Sequence, residues 1–236
     1  LVGSEMCIRD SVRAIAQGAS ERNISIIIDE PNAKKALNAL HESFFEKDLK
    51  DIHIFITGVG NVGGYLIQQI KDQKDFISEN LGLNLKILGI SNSKKMLISK
   101  KEIELKNWSE LLNDSNAKAD KDIFQKTIIE LNRRNSLFVD NTASDIIPLT
   151  YKDYLKNGVG IITCNKISNS GTLSLYKELR ELSRGHNTPF YYETNVGAAL
   201  PVISTLKNLI NSGDKVLKIE AVLSGTLNYI FNNLLL

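Results

Sequence analysis

Three patterns of apolar and polar positions succeed one another along the chain. In residues 12–45, two short apolar runs, VRAIAQ and ISIIID, flank the polar, glycine-containing GASERN. That combination suits two strands joined by a hairpin. Pro31-Asn32 then interrupts, and Ala36, Leu37, Leu40 and Phe44 recur at helical spacing, so the segment reads strand–hairpin–strand–helix. So short a piece cannot bury a core alone and is expected to be the end of a larger domain. Residues 46–51 (EKDLKD) read as a solvated linker.

From residue 52 to about 193 the pattern changes. IHIFIT, LKILGIS, SLFVD and VGIIT are short β-rich runs, and helical stretches fall between and after them, around 65–71, 123–132, 151–157 and 172–183. Alternating strands and helices with continuous apolar strands predict a parallel sheet covered on both faces. Ligands of such sheets bind outside the carboxyl ends of the strands. Beyond residue 196 a third pattern begins. Pro201 suits a first helical position, Val202, Ile203, Leu206, Leu209 and Ile210 form an apolar stripe, and Gly213 ends it. KVLKIEAVLSG reads as a strand and TLNYIFNNL as the start of a further helix.

Bulk properties narrow the function classes. Of 236 residues, 42% are hydrophobic and 24% charged, an ordinary globular balance. The 29 basic residues are dispersed among 27 acidic ones, for a net charge of +2, so nothing favours nucleic acid or a membrane surface. No apolar run approaches the roughly 20 residues needed to cross a bilayer. Cys7 and Cys164 form no CxxC pair, and His41, His53 and His186 are scattered, so neither a disulfide framework nor a zinc site is expected. A reducing cytoplasm is the expected compartment. Residues 1–11 (LVGSEMCIRDS) lack a signal-peptide apolar core and resemble translated sequencing-adapter sequence. They are expected to be a non-native tail, and the chain a gene fragment at both ends.

The chemistry is sought at the strand ends. After IHIFIT comes Gly58-Val59-Gly60-Asn61-Val62-Gly63-Gly64, followed at once by YLIQQI. Glycines between a buried strand and a helix permit a tight turn and let backbone N–H groups approach a pyrophosphate. A glycine-rich turn without a ligand is the plain alternative. The second strand ends in Ser91-Asn92-Ser93-Lys94-Lys95, where a site preferring NAD carries Asp or Glu for the ribose 2′-hydroxyl. With no carboxylate to repel a 2′-phosphate and one or two lysines, Lys94 and Lys95, to attract it, the stretch points to NADP, with NAD possible; lysines directed into solvent are the alternative. The third strand ends in Asn141-Thr142-Ala143-Ser144, polar side chains able to contact the nicotinamide half or to cap a helix. The fourth ends in Cys164-Asn165-Lys166. A lysine just past a strand's carboxyl end faces the crevice, which gives Lys166 a functional role. Cys164 has no apparent partner base and reads as a packing residue.

Taken in order, GVGNVG, NTAS, TCNK, YYETNVGAALPVI and LSGTLNYIFN resemble homoserine dehydrogenase, and AIAQGASERNISIII is similar to the last part of an ACT regulatory domain of aspartokinase. The arrangement resembles the bifunctional aspartokinase–homoserine dehydrogenases. The resemblance implies an α/β chain: a partial ACT domain over 12–46, a Rossmann-type doubly wound parallel sheet over 51–193, and the start of an α+β catalytic and dimerisation domain over 194–236. It implies NAD(P)H-dependent interconversion of L-aspartate 4-semialdehyde and L-homoserine, on the route to threonine and methionine, by a homo-oligomer when full length. The cofactor site would comprise Gly58, Gly60, Asn61, Val62, Gly63, Ser93, Lys94, Asn141, Thr142, Ala143, Ser144, Asn165 and Lys166. Lys166 would be the active-site lysine beside cofactor and substrate. Glu193, through its carboxylate, and Val196, Ala198 and Leu200, through their carbonyls, would bind a monovalent cation; hard oxygen ligands suit sodium. Gln17 matches a threonine-binding position. The family continues past LSGTLNYIFN to an acidic stretch and an aspartate–lysine pair that supply the proton, so the polypeptide ending at Leu236 is expected to be inactive alone. Two competing readings remain at this level: another NAD(P) oxidoreductase on the same fold, against which ETNVGAALP counts, and a non-catalytic, cofactor-binding regulatory module.

Overall fold

A computed structural model of the chain describes residues 12–17, 24–33, 36–37, 40, 49–198, 200–222 and 225–234. The first apolar runs form strands β1 (Val12–Gln17) and β2 (Ile24–Ile28), paired antiparallel with Gln17 opposite Ile24. Ile15, Ile24 and Ile27 are exposed, as befits two strands with no core of their own. Residues 33, 36, 37 and 40 are helical, in keeping with the expected spacing. The expected tail at 1–11, the hairpin turn and Phe44 lie outside the described residues, as do residues 46–48 of the expected linker.

The larger sheet has six strands: β3 (Lys50–Thr57), β4 (Leu83–Ser91), β5 (Met96–Ile98), β6 (Ser136–Asp140), β7 (Gly160–Thr163) and β8 (Phe190–Tyr191). They lie in the order β5-β4-β3-β6-β7-β8, all parallel except the antiparallel edge strand β5. Six helices accompany them: α1 (Asn61–Leu81), α2 (Trp108–Asp114), α3 (Lys121–Leu131), α4 (Tyr151–Lys156), α5 (Ile167–Ser170) and α6 (Leu173–Gly185).

Side-chain alternation divides the core between the two faces. Ile54, Ile56, Ile87 and Ile90 pack with Ile67 and Ile70 of α1, while Phe55, Leu88, Phe138 and Ile161 pack with Phe124 of α3, Tyr151 and Tyr154 of α4 and Leu179 of α6. Both faces being covered, the central strands carry apolar residues at consecutive positions, the pattern read from the sequence. The topology also locates the site. From β3 the chain builds β4 and β5 to one side, then crosses back to lay β6 on the other, so a crevice opens where the strand order reverses, at the carboxyl end of β3.

Several expectations are corrected. β3 begins inside the anticipated linker, because Lys50 and Asp51 pair with Leu83 and Asn84 of β4, and the Asp51 carboxylate accepts from Asn84 Nδ2 (2.8 Å) and from Lys86 Nζ on that strand. α1 extends well beyond 65–71; its polar second half carries no apolar stripe and ends where Gly82 adopts a left-handed conformation and donates to Ile77 O and Ser78 O. β5, α2 and β8 are too short for periodicity to reveal. The run KVLKIEAVLSG, read as a strand, has no regular structure over 214–222, and Leu217 is 93% exposed. A strand needs a neighbour for its N–H and C=O groups, and no described strand pairs with it. The flanking helices α7 (Val202–Asn211) and α8 (Gly225–Leu234) form as the sequence predicts.

Candidate cofactor-binding site

At the carboxyl end of β3, Gly58, Gly60 and Gly63 of the loop face different surroundings. Gly58 N donates to Ser91 O at the end of β4 (2.8 Å), and Asn141 N donates to Thr57 O (2.9 Å), so the loop is held between β4 and β6. Gly58 has φ +89°, and a Cβ there would lie 2.8 Å from the Asn141 carbonyl carbon. A Cβ at Gly63 would lie 2.2 Å from Gly58 O, so the first turn of α1 rests directly on the loop. Gly60 differs: a Cβ would meet nothing within 4 Å. It stands at the start of α1, where no side chain caps the helix, so backbone N–H groups are left for another acceptor. Gly58 and Gly63 bring backbone against backbone, whereas Gly60 borders open space.

That space is a cleft of about 860 Å³. Its walls include Gly58 and Gly60 of the loop, Ser91, Asn92, Ser93 and Lys94 after β4, and Asn141, Thr142 and Ser144 after β6, with Phe124, Phe138 and Tyr154 reaching it from the core. Seven of the residues expected from sequence thus meet in one cavity. Asn141 Nδ2, shielded from solvent, has no hydrogen-bond partner, a donor left over at the edge of the cleft. Asn92 Oδ1 accepts from Lys94 N (2.8 Å) and Lys95 N (2.7 Å), which fixes the turn that presents the lysines. The two lysines then diverge. Lys94 lines the cleft, whereas Lys95 Nζ donates to Asn113 O and takes no part in its lining. Two cleft residues that sequence reading missed, Asp120 and Lys121, come from the start of α3. Asp120 also caps α3, its Oδ1 accepting from Asp122 N and Ile123 N (2.9 Å each).

Asp140, the last residue of β6, was also missed, although an acidic residue closing an apolar strand is a signal of its kind. It is fully buried. Thr142 N donates to its Oδ1 (2.7 Å), and Oδ2 lies 2.6 Å from Tyr151 Oη and 3.1 Å from Asn165 Nδ2. Asn165 extends the network: its Nδ2 donates to Ser144 O (2.7 Å), its Oδ1 accepts from Ile167 N (3.1 Å), and its carbonyl accepts from Asn195 Nδ2 (3.2 Å). One carboxylate therefore ties the 141–144 loop to the 164–166 turn, and Asn165 ties both to the 193–195 turn. Burial, then the charge of Asp140, pushes the Tyr151 hydroxyl far above its ordinary value, so it stays a neutral phenol. The same two causes raise the Cys164 thiol, which fits a packing residue better than a nucleophile.

The remaining expected residues stand apart from the cleft lining. Asn61 and Val62 are exposed on the first turn of α1, Ala143 is exposed on its loop, and Asn165 is buried behind it. Lys166 is exposed at the start of α5, immediately past the end of β7. The Glu193 carboxylate caps α7, Oε1 accepting from Ile203 N and Oε2 from Ser204 N (2.9 Å each). The following turn carries Gly197 at φ +72° and Ala198 at φ +51°, with Leu200 N donating to Gly197 O (2.9 Å). Among the described residues no cluster of three or more His, Cys, Asp or Glu side chains is placed to hold a metal ion.

Comparison with known proteins adds to this geometry. Residues 58–193 match the family model described as homoserine dehydrogenase, NAD binding domain; residues 201–235 match a homoserine dehydrogenase model and residues 9–44 an ACT domain. A chloroplastic bifunctional aspartokinase/homoserine dehydrogenase of Arabidopsis thaliana is 43% identical over 94% of this chain and 24% of its own length. The homoserine dehydrogenase of Schizosaccharomyces pombe is 34% identical over 77% of this chain and 49% of its own. The crystal structure of a hyperthermophilic archaeal homoserine dehydrogenase in complex with NADPH superposes with a TM-score of 0.55 at 24% identity, over 69% of this chain and 50% of that one, a likeness of fold. The chain spans about a quarter of the length of the bifunctional relatives it matches.

Proposed function

This chain belongs to the homoserine dehydrogenase family, and from that footing we propose that it supplies the cofactor half of an enzyme interconverting L-aspartate 4-semialdehyde and L-homoserine with NADP(H). The observation that carries this reading is the cleft at the reversal of strand order, formed by residues that match the family's NAD-binding domain and opening over Gly60. The bound nicotinamide cofactor supplies or accepts the hydride. This chain's own residues bind and orient it. Gly60 leaves room for the diphosphate beside the uncapped start of α1, Asn141 Nδ2 offers a free donor, and Lys94 offers a cation at the end of β4. Lys166 is assigned to the substrate side, where its ammonium would hold the carbonyl oxygen; Asn165, bonded to Asp140 and accepting from Ile167 N, sets the turn that presents it.

Within this proposal residues 51–193 are the cofactor unit, 12–46 the end of a regulatory ACT domain, and 194–236 the start of the catalytic and dimerisation domain. Glu193, Val196, Ala198 and Leu200 are proposed to hold a sodium ion; each oxygen of the capping carboxylate keeps a lone pair beyond the bond it accepts. The full-length protein is proposed to be a homo-oligomer, an assembly that would cover exposed apolar residues such as Tyr229 and Phe231 on α8. No helix among the described residues is long and apolar enough to cross a membrane; the cytoplasm is the proposed compartment.

Fluorescence titration of the chain with NADPH tests the central claim. The wild type should bind, and Gly60→Val should abolish binding with its circular dichroism and melting temperature unchanged, since the new side chain enters open space. Unchanged NADPH affinity in a folded Gly60→Val variant would remove the glycine loop from the site.

A further inference from the structure

The corner of the cleft beyond β4 is built from two segments far apart in sequence. Residues 117–119 run beside 94–96: Ala119 N donates to Lys94 O (2.9 Å), Met96 N donates to Ala117 O (3.1 Å), and Lys95 bridges Lys118. This pairing delivers Asp120 and Lys121 to the same cavity as Ser93 and Lys94. In a doubly wound sheet the end of the second strand faces the adenosine ribose. Four charged groups meet around this corner. Lys94 forms no ion pair among the described residues. Lys121 is mostly buried, its side chain 29% exposed, with Nζ 2.5 Å from Asp122 Oδ1 on a side chain that is 74% exposed.

The sign of the corner decides which cofactor it suits. Asp120 alone would favour a ribose hydroxyl over a phosphate. Its Oδ1 is committed to two N–H groups at the start of α3, where the helix dipole offsets the negative charge. Asp122 stands in solvent, where a pair to lysine is weak and replaceable. Lys94 and Lys121 therefore set the local field. We propose that Lys121 is the second cation for the cofactor's adenosine 2′-phosphate, sharing that group with Lys94 and exchanging its bond to Asp122 for one to the phosphate. The inference rests on the cleft being the cofactor site and adds a selectivity residue from a segment that the strand-end rule does not inspect.

Titrating the full chain with NADPH, NADH, 2′,5′-ADP and 5′-ADP tests it. Lys121→Ala should weaken NADPH and 2′,5′-ADP about tenfold, the scale of one partly screened charge-assisted contact, and leave NADH and 5′-ADP within about twofold. Lys121→Arg should restore most of the loss, and the NADPH-to-NADH affinity ratio should fall with ionic strength less steeply in Lys121→Ala than in wild type. Equal weakening of NADPH and NADH, or no weakening of NADPH, overturns the assignment while leaving the cofactor site standing. Failure of the wild type to bind any of the four ligands takes down the cofactor reading itself and this inference with it.

Discussion

The two ends of the cleft are built on opposite principles. Around Asp140, a fully buried carboxylate accepts bonds from a backbone N–H and from the polar side chains of Tyr151 and Asn165, both of them buried. Around Lys94 and Lys121, charges sit at the mouth, one without an ion-pair partner among the described residues and one paired to an exposed aspartate. In the first case low dielectric makes each bond strong and each missing partner expensive. In the second, water and salt weaken every interaction. The buried end can fix where the loops lie; the exposed end can only grade which ligand is preferred. Rigidity and selectivity are thereby separated within one cavity.

Substitutions should divide along that line, with the largest effects at the buried, closely packed end. Gly63→Ala places a Cβ 2.2 Å from Gly58 O, so α1 must lift from the loop. Overpacking a filled core costs roughly 1–3 kcal/mol and occasionally more; backbone cannot yield as a side chain can, so about 3 kcal/mol or more is expected in urea unfolding, together with loss of NADPH binding. Asp140→Ala should cost about 3 kcal/mol by stranding several buried donors, with an effect unchanged between low and high salt. A strongly salt-dependent loss would place Asp140 with the exposed group and break the comparison. Tyr151→Phe removes one hydroxyl from the same network and should cost about 1 kcal/mol, with NADPH affinity nearly intact.

The exposed end should answer differently. Lys94→Ala is expected to leave the melting temperature unchanged and to weaken NADPH about tenfold at low salt, equivalent to roughly 1.4 kcal/mol, with NADH little affected. Lys95→Ala should change the NADPH-to-NADH ratio by less than about twofold, since Lys95 Nζ is engaged by Asn113 O and Lys95 itself does not line the cleft. Titration of both variants at low and high salt checks the pair. A larger effect from Lys95 than from Lys94 would mean that the turn after β4 presents the wrong lysine.

Much of this molecule was legible along the chain because the information is local. Consecutive apolar positions in IHIFIT and LKILGIS specify strands covered on both faces. The glycines that follow specify a tight turn into a helix, and motif order specifies the family. What remained hidden depends on which segments meet. Asp51 becomes a strand residue because β4 lies alongside, with Asn84 opposite it and Lys86 near enough to donate to its carboxylate. The run after Gly213 has the composition of a strand but no partner among the described residues. Lys94 and Lys95 are alike in sequence and are told apart by the carbonyl of Asn113. Lys121 resembles any helix-start lysine until the 117–119 segment pairs with 94–96. Asp140 is one acidic residue in a row of apolar ones, and its significance lies in Tyr151 and Asn165, which the fold brings to it. Sequence alone determined the elements and the glycine loop, since periodicity and backbone sterics act over a few residues. Only the tertiary structure decided the charge balance and the hydrogen-bond network of the cleft, since both arise between groups that the chain keeps far apart.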